Sequence, residues 1–267
     1  MYWNVNPEIL SLGPIAIRWY GLFFALAFLL GFGIVRWIFR CESKAERDLE
    51  PLLFYMLFGT LIGARLGHCF FYDPLYYLSN PLEIIKVWKG GLASHGGAIG
   101  VFVALYLYSR NRPDQPYLWL LDRMVIPAAL GGALIRIGNF FNSEIIGVPA
   151  DVAWAIVFAK VDLLPRHPVQ LYEATAYVFV FLLLIHIYRH QECKVKPGLL
   201  LGLYLVTIFT ARFFIELLKI RQAAYGIELP FSVGQWLSLP MIIAGVMLLF
   251  LKPEKRRNVC GHCEHGV

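Results

Sequence analysis

Of the chain's 267 residues, 58% are hydrophobic and only 16% are charged, well below the roughly 25% typical of soluble domains, which excludes a disordered chain and argues against a soluble one. The formal charge of +6 does not signal nucleic acid, because no basic run interleaved with aromatics offers a stacking platform and the basic residues flank apolar runs instead. Cys41, Cys69, Cys193, Cys260 and Cys263 do not make a disulfide framework of the small secreted kind.

A bilayer core takes about 20 mostly apolar residues per helix. Seven runs approach this, at residues 15–39, 51–72, 91–108, 117–138, 171–188, 198–218 and 233–251. The first has no basic segment before it and no small-residue cleavage site after it, so it is expected to stay in the mature protein. The second carries Gly59, Gly63 and Gly67 on one helical face, which allows close helix approach. The expected fold is an all-α polytopic membrane protein of about seven transmembrane helices. Residues 1–252 form one transmembrane catalytic domain and residues 253–267 a tail.

Thirteen lysines and arginines fall in the first, third and fifth connections and the tail, against six on the opposite side. By the positive-inside bias, the N-terminus lies outside and the C-terminus in the cytoplasm. The one long outside connection, about residues 139–170, then forms a small extracytoplasmic cap, and residues 152–158 within it have the composition of a strand. In the tail, Cys260, His262, Cys263 and His265 are metal-ligand types, but they crowd into six residues and leave little chain to close a site. The tail is read as dispensable.

An ionisable group inside a bilayer costs about 2.5–3.5 kcal/mol on insertion scales and is a functional hypothesis by default. Arg18, Tyr20, Arg65, His68, His95, Arg136, Tyr172, Glu173, Arg212 and Glu216 all fall toward the outer ends of their spans, whereas Asp122, Arg123 and His186 fall toward the cytoplasm. The outer layer is rich in arginine, whose planar fork suits phosphate or carboxylate. A phospholipid presents a phosphate at that depth. Glu216 stands four residues after Arg212, on the same helical face, and is expected to hold it.

Five motifs contribute to this layer. They are Arg18-Trp-Tyr20-Gly21, Gly90-Gly91-Leu-Ala-Ser94-His95-Gly96-Gly97, Arg136-Ile-Gly-Asn139-Phe-Phe-Asn142-Ser-Glu144-Ile-Ile-Gly147, His167-Pro168-Val-Gln170-Leu-Tyr172-Glu173 and Arg212-Phe-Phe-Ile-Glu216. Together they resemble the prolipoprotein diacylglyceryl transferase family, in order and over nearly the whole length, and the Arg136–Gly147 stretch resembles that family's signature. The resemblance implies transfer of the diacylglyceryl group of phosphatidylglycerol to the lipobox cysteine of a prolipoprotein signal peptide, with glycerol phosphate leaving. It implies the bacterial inner membrane and no cofactor or metal. Carried over by motif, Arg136 and Arg212 hold the lipid phosphate, Asn139, Glu144 and Gly147 shape the same site with Glu216 beside Arg212, and Tyr20 and His95 are the remaining functional positions.

The residues agree with that chemistry. A thiolate is the nucleophile, and a free cysteine's pKa lies near 8.5. His95, with a reference value near 6.5, suits the proton's removal. Cationic side chains suit the departing phosphate. Three other readings fit less well. A transporter, or a lipid-binding protein for an anionic ligand, would line a path across the membrane, yet the polar groups gather in one layer and no inverted repeat is visible. A metal-dependent phosphatidyltransferase needs clustered carboxylates. A scaffold leaves the arginines unexplained.

Overall fold

A computed structural model of the chain describes residues 1–12, 15–220 and 231–250. The Cys260–His265 motif, the basic residues of the tail, the boundary at residue 252 and Arg221 lie outside the described residues.

Among the described residues the chain forms α1 (Trp19–Cys41), α2 (Leu49–Phe71), α3 (Pro74–Ser79), α4 (Pro81–Ile85), α5 (Ser94–Arg110), α6 (Tyr117–Phe141), α7 (Val169–His190), α8 (Leu199–Ile215) and α9 (Val233–Phe250). Six of these, namely α1, α2, α6, α7, α8 and α9, are long and apolar enough to cross a membrane. The expected third span starts three residues later and ends two residues later than the sequence suggested. α5 has 17 residues, about 26 Å at 1.5 Å per residue, against a hydrocarbon core of about 30 Å. Gly90 and Gly91 take φ of 83° and 71°, a backbone that ends helical geometry. The Ala93 N–H then donates to Ala64 O on α2 at 2.9 Å, so residues 91–93 are pinned against α2.

The Gly59–Gly63–Gly67 face packs as expected. A Cβ on Gly67 would fall 2.6 Å from Gly96 Cα, and one on Gly59 would fall 2.6 Å from Ala104 Cβ, so the α2 and α5 backbones meet directly. α1 lies along α6, α6 along α7, and α8 along α9. α8 starts at Gly198 without a side-chain cap of its own. Asp122 of α6 supplies one, accepting from Gly198 N–H at 2.6 Å and Leu201 N–H at 2.9 Å.

The all-α expectation describes the spans, but one end of the bundle carries two small sheets. β1 (Tyr2–Trp3) pairs in parallel with β4 (Ile156–Phe158), which pairs antiparallel with β5 (Pro165–Arg166). β2 (Glu8–Leu12) pairs antiparallel with β3 (Ile15–Arg18). Residues 15–18, expected as the start of the first span, are therefore strand. The strand expected within 152–158 forms over its last three residues.

Connectivity sorts the molecule into two ends. The 111–116 turn joins α5 to α6, so the start of α5 and the finish of α6 lie at the same end. That end carries His95, Arg136, the 142–168 cap and the N-terminal strands. The opposite end carries Asp122, Arg123 and Glu42. The main hydrophobic core is concentrated toward the Asp122 end, around Ile38, Leu105, Leu120, Ile126, Leu184 and Leu200, while a smaller cluster of Phe140, Ile156 and Phe158 sits under the cap.

Candidate active site

The last turn of α6 and the turn after it form one polar cluster. Arg136 Nη1 donates to Asn139 Oδ1 at 3.2 Å, Asn139 Nδ2 donates to Glu144 Oε2 at 3.2 Å, and Asn142 Nδ2 donates to Glu144 Oε1 at 3.2 Å. The backbone closes the same turn, with Glu144 N–H on Asn139 O at 2.9 Å. Ser143 and Ile145, on either side of Glu144, take φ of 56° and 55°. For a β-branched residue such as Ile145 this is a strained conformation, and it holds Glu144 exposed at the mouth of the cluster. Gly147 has a packing reason to be glycine, because a Cβ there would meet His167 O at 2.5 Å and Leu218 O at 2.9 Å.

α7 and the end of α8 supply the facing charges. The buried Glu173 carboxylate lies 3.0 Å from Arg136 Nε and 2.7 Å from Lys219 Nζ, and Lys219 also lies 3.3 Å from Glu216. The pairing expected between Arg212 and Glu216 is not formed. Glu216 keeps the α-helical backbone bond from its N–H to Arg212 O, but its carboxylate turns to Lys219 and Gly234 instead of to the Arg212 guanidinium. Among the described residues Arg212 has no hydrogen-bond or ion-pair partner, and its Nε is buried. Arg136 Nη2 likewise has no hydrogen-bond partner among them. Arg212, Glu173 and Tyr177 line one small cavity.

Tyr20, in the first turn of α1, packs against Gly138 and lies within the fields of Glu144 and Arg136. Below this layer a largely apolar cavity of about 300 Å³ runs between α1, α2 and α6, lined by Phe24, Phe28, Met124, Ile135, Tyr177 and Tyr204 among others. Tyr177 borders both this cavity and the arginine layer.

The structure therefore brings Tyr20, Arg136, Asn139, Glu144, Gly147, Arg212 and Glu216 to one region around Glu173 and Lys219. His95 is at the same end but on the α2/α5 pair. It is exposed, with its ring edge-on to Phe71 at 5.2 Å and 6.1 Å from Tyr72. Arg65 is buried and spends its donors on the backbone carbonyls of Ile84, Gly90, Gly91 and Glu83, which holds the 80–91 segment. Arg18 pairs with Glu8 on the surface at 3.0 Å. His167 contacts the Tyr172 hydroxyl at 3.1 Å.

Three participants escaped sequence reasoning. Lys219 reads as a residue just past a span, Gln170 as a member of the His167–Glu173 motif with no role of its own, and Tyr177 as one aromatic among many. Yet Lys219 shares Glu173, and the buried Gln170 anchors the motif turn by donating to Glu144 O at 2.6 Å. Among the described residues no group of three His, Cys, Asp or Glu side chains is placed to hold a metal ion.

A family profile described as Prolipoprotein diacylglyceryl transferase matches residues 7–251. Among curated relatives, a phosphatidylglycerol–prolipoprotein diacylglyceryl transferase of Chloroherpeton thalassium is 58% identical over 250 residues, 94% of this chain and 93% of that one. A protein of the same name from Tolumonas auensis is 49% identical over 256 residues, covering 96% and 99%. Another from Bacteroides fragilis is 42% identical over 266 residues, covering 95% and 96%.

Proposed function

This chain belongs to the prolipoprotein diacylglyceryl transferase family, and from that membership we propose how its half-buried arginines carry out the family's reaction. The protein is a multi-pass membrane enzyme that transfers a diacylglyceryl group from phosphatidylglycerol to a prolipoprotein.

The reading places the Arg136 end at the outer leaflet of the inner membrane. The lipid phosphate sits between Arg136 and Arg212, and at least one acyl chain enters the apolar cavity beneath. Arg136 is held by Asn139 and Glu173, which leaves Nη2 for a phosphate oxygen; Arg212 contributes the second cation. Glu216, Glu173 and Lys219 fix the surroundings. The exposed Glu144 carboxylate accepts from the hydroxyls of the lipid's glycerol headgroup, and Gly147 keeps that turn tight. Tyr20 donates to the departing phosphate.

The acceptor is the lipobox cysteine. His95 takes its proton, and the thiolate sulfur bonds to the glycerol carbon that carries the phosphate ester. The carbon–oxygen bond breaks, its electrons stay on the phosphate oxygen, and glycerol phosphate departs. Charge grows on that oxygen as the bond breaks, so the arginine contacts strengthen in the transition state.

The single observation behind this reading is Arg212, a cation with a buried Nε and no carboxylate among the described residues, set at the same end as an incompletely engaged Arg136. The test uses purified protein, phosphatidylglycerol labelled once in its acyl chains and once in its headgroup, and a lipobox peptide. Acyl label should pass to the peptide while headgroup label leaves as glycerol phosphate in equal amount. Headgroup label on the peptide, or no transfer at all, refutes the reading.

A further inference from the structure

The α2/α5 pair presents its open side as a trough. On α2, Phe54, Phe58, Ile62, Leu66 and Phe70 recur every four residues and make one ridge; on α5, Ile99, Val103 and Leu107 make the other. All eight side chains are exposed, from 39% at Leu66 to 57% at Ile99. Between the ridges, where the glycine-lined backbones of the two helices meet, lies an apolar cavity of about 650 Å³. A lipid-facing surface is expected to be apolar, but it need not be concave. Two parallel ridges over a floor without side chains offer a bed for a single apolar rod, and small residues at the floor let a helix come close.

The two ends of the trough differ in chemistry. His95 stands four residues before Ile99 on the same ridge line, exposed, at the Arg136 end. Glu50 stands four residues before Phe54 on the other ridge line, at the opposite end. It is exposed, and no ion-pair partner for it occurs among the described residues. From Phe54 to Phe70 the ridge runs about 24 Å. A signal segment has a basic start followed by an apolar stretch of about 7–15 residues, which as a helix is about 10–22 Å long.

We propose that this trough receives the apolar helix of the prolipoprotein substrate, with its basic start beside Glu50 and its thiol delivered to His95. The proposal rests on the transferase reading above. It gives the exposed His95 a reason to stand apart from the arginines, since the lipid and the peptide then reach the reaction from different helix pairs. In hydrocarbon, apolar burial adds little driving force, so shape fit in the trough carries the binding.

The test places a benzophenone side chain at Ile62 of the full-length protein in membranes containing a prolipoprotein. Irradiation should yield an adduct with the prolipoprotein, whereas the same probe at Met247, 67% exposed on α9, should yield none. Ile62→Trp should raise KM for the prolipoprotein roughly tenfold, a loss of about 1.4 kcal/mol, without raising KM for phosphatidylglycerol. Glu50→Lys should raise KM for a substrate with a basic start more than for one with a neutral start. Adducts only with lipid or with a second copy of this chain, or a rise in KM for phosphatidylglycerol instead, overturn the proposal. Absence of transfer by the unsubstituted protein would overturn the transferase reading, while the adduct still reports on the trough by itself.

Discussion

The two ends of α6 both bury charge, fourteen residues and about 21 Å apart, and they treat it differently. At the Asp122 end the charges are answered within the protein, one nitrogen of Arg123 excepted. Asp122 accepts from two backbone N–H groups at the start of α8. Glu42 accepts from Arg123 Nε at 2.9 Å, Trp119 Nε1 at 2.7 Å and the Tyr188 hydroxyl at 2.8 Å. At the Arg136 end one carboxylate, Glu173, serves two cations, and Arg212 has none. Among the described residues, seven buried side-chain polar atoms lack a hydrogen-bond partner; six of them, on Trp3, Asn142, Ser143, Gln170, Glu173 and Arg212, lie at this end. Each such atom costs about 1–3 kcal/mol when nothing answers it. A network that is complete holds helices together; at the incomplete end the unanswered Arg212 Nε is a donor suited to an anionic ligand, whereas the Asn142, Gln170 and Glu173 oxygens can only accept.

The difference predicts a dissociation between activity and stability, and the largest effect belongs to the incomplete end. Arg136→Ala should lower transfer by about 10²–10³-fold, the usual consequence of losing a contact to developing charge. Arg136→Lys should recover only part of this, because an ammonium lacks the planar fork. Arg212→Ala should behave like Arg136→Ala. Initial rates with phosphatidylglycerol and a lipobox peptide check this alongside the yield of folded protein in detergent, which should be normal. Near-normal transfer by Arg136→Ala would break the comparison at its functional side.

The complete end should show the converse. Asp122→Ala strands two buried N–H groups, at about 1–3 kcal/mol each, and removes the side-chain cap that α6 lends to the start of α8. Thermal unfolding in detergent should shift down clearly, while transfer per folded molecule stays close to that of the unsubstituted protein. Asp122→Asn should fall between, since an amide offers one oxygen to the two donors. If Asp122→Ala instead lost transfer while keeping its stability, the assignment of the two ends would be reversed.

How much of this was legible in sequence depends on the range of the interactions. Six helices follow from apolar runs long enough for a bilayer, and the α2/α5 contact from glycines spaced four apart. α5 starts later than expected because Gly90 and Gly91, both at positive φ, precede its first turn. The N-terminal strands were not legible: Tyr2 and Trp3 pair with Val157 and Phe158, and nothing local announces a partner so distant in the chain. At the site, Arg136, Asn139 and Glu144 were readable because one helix end and one turn hold all three. The i,i+4 expectation for Arg212 and Glu216 failed because Lys219, three residues further on, takes the Glu216 carboxylate. Glu173 between Arg136 and Lys219 depends on α6, α7 and α8 meeting, which spacing along the chain does not encode. Glu42 went unnoticed for the same reason, since its partners are on α6 and α7.

The smallest expected effect concerns the cap that closes over the incomplete end. Arg166 of β5 forms an ion pair with Asp162 and donates Nη1 to Gly147 O at 3.1 Å, so it links the sheet to the motif turn. The hydrogen bond from Arg166 holds the Asp162 carboxyl below the usual range. A carboxyl depressed on folding contributes stability above its unfolded value, about 3.9, and loses it as pH falls through the lower folded value. Arg166 is buried but the Asp162 carboxylate is partly exposed, and the contribution is modest. Hydrogen exchange of residues 145–150, corrected for the intrinsic pH dependence of exchange, should therefore be unchanged from neutral pH down to about 4 and rise below it. Asp162→Asn should raise it already at neutral pH, leave the unfolding temperature almost unmoved, and lower transfer only slightly, because Arg166 keeps its bond to Gly147. If exchange in Asp162→Asn matched the unsubstituted protein at every pH, the Arg166–Gly147 bond alone would hold the turn, and the cap would owe nothing to its ion pair.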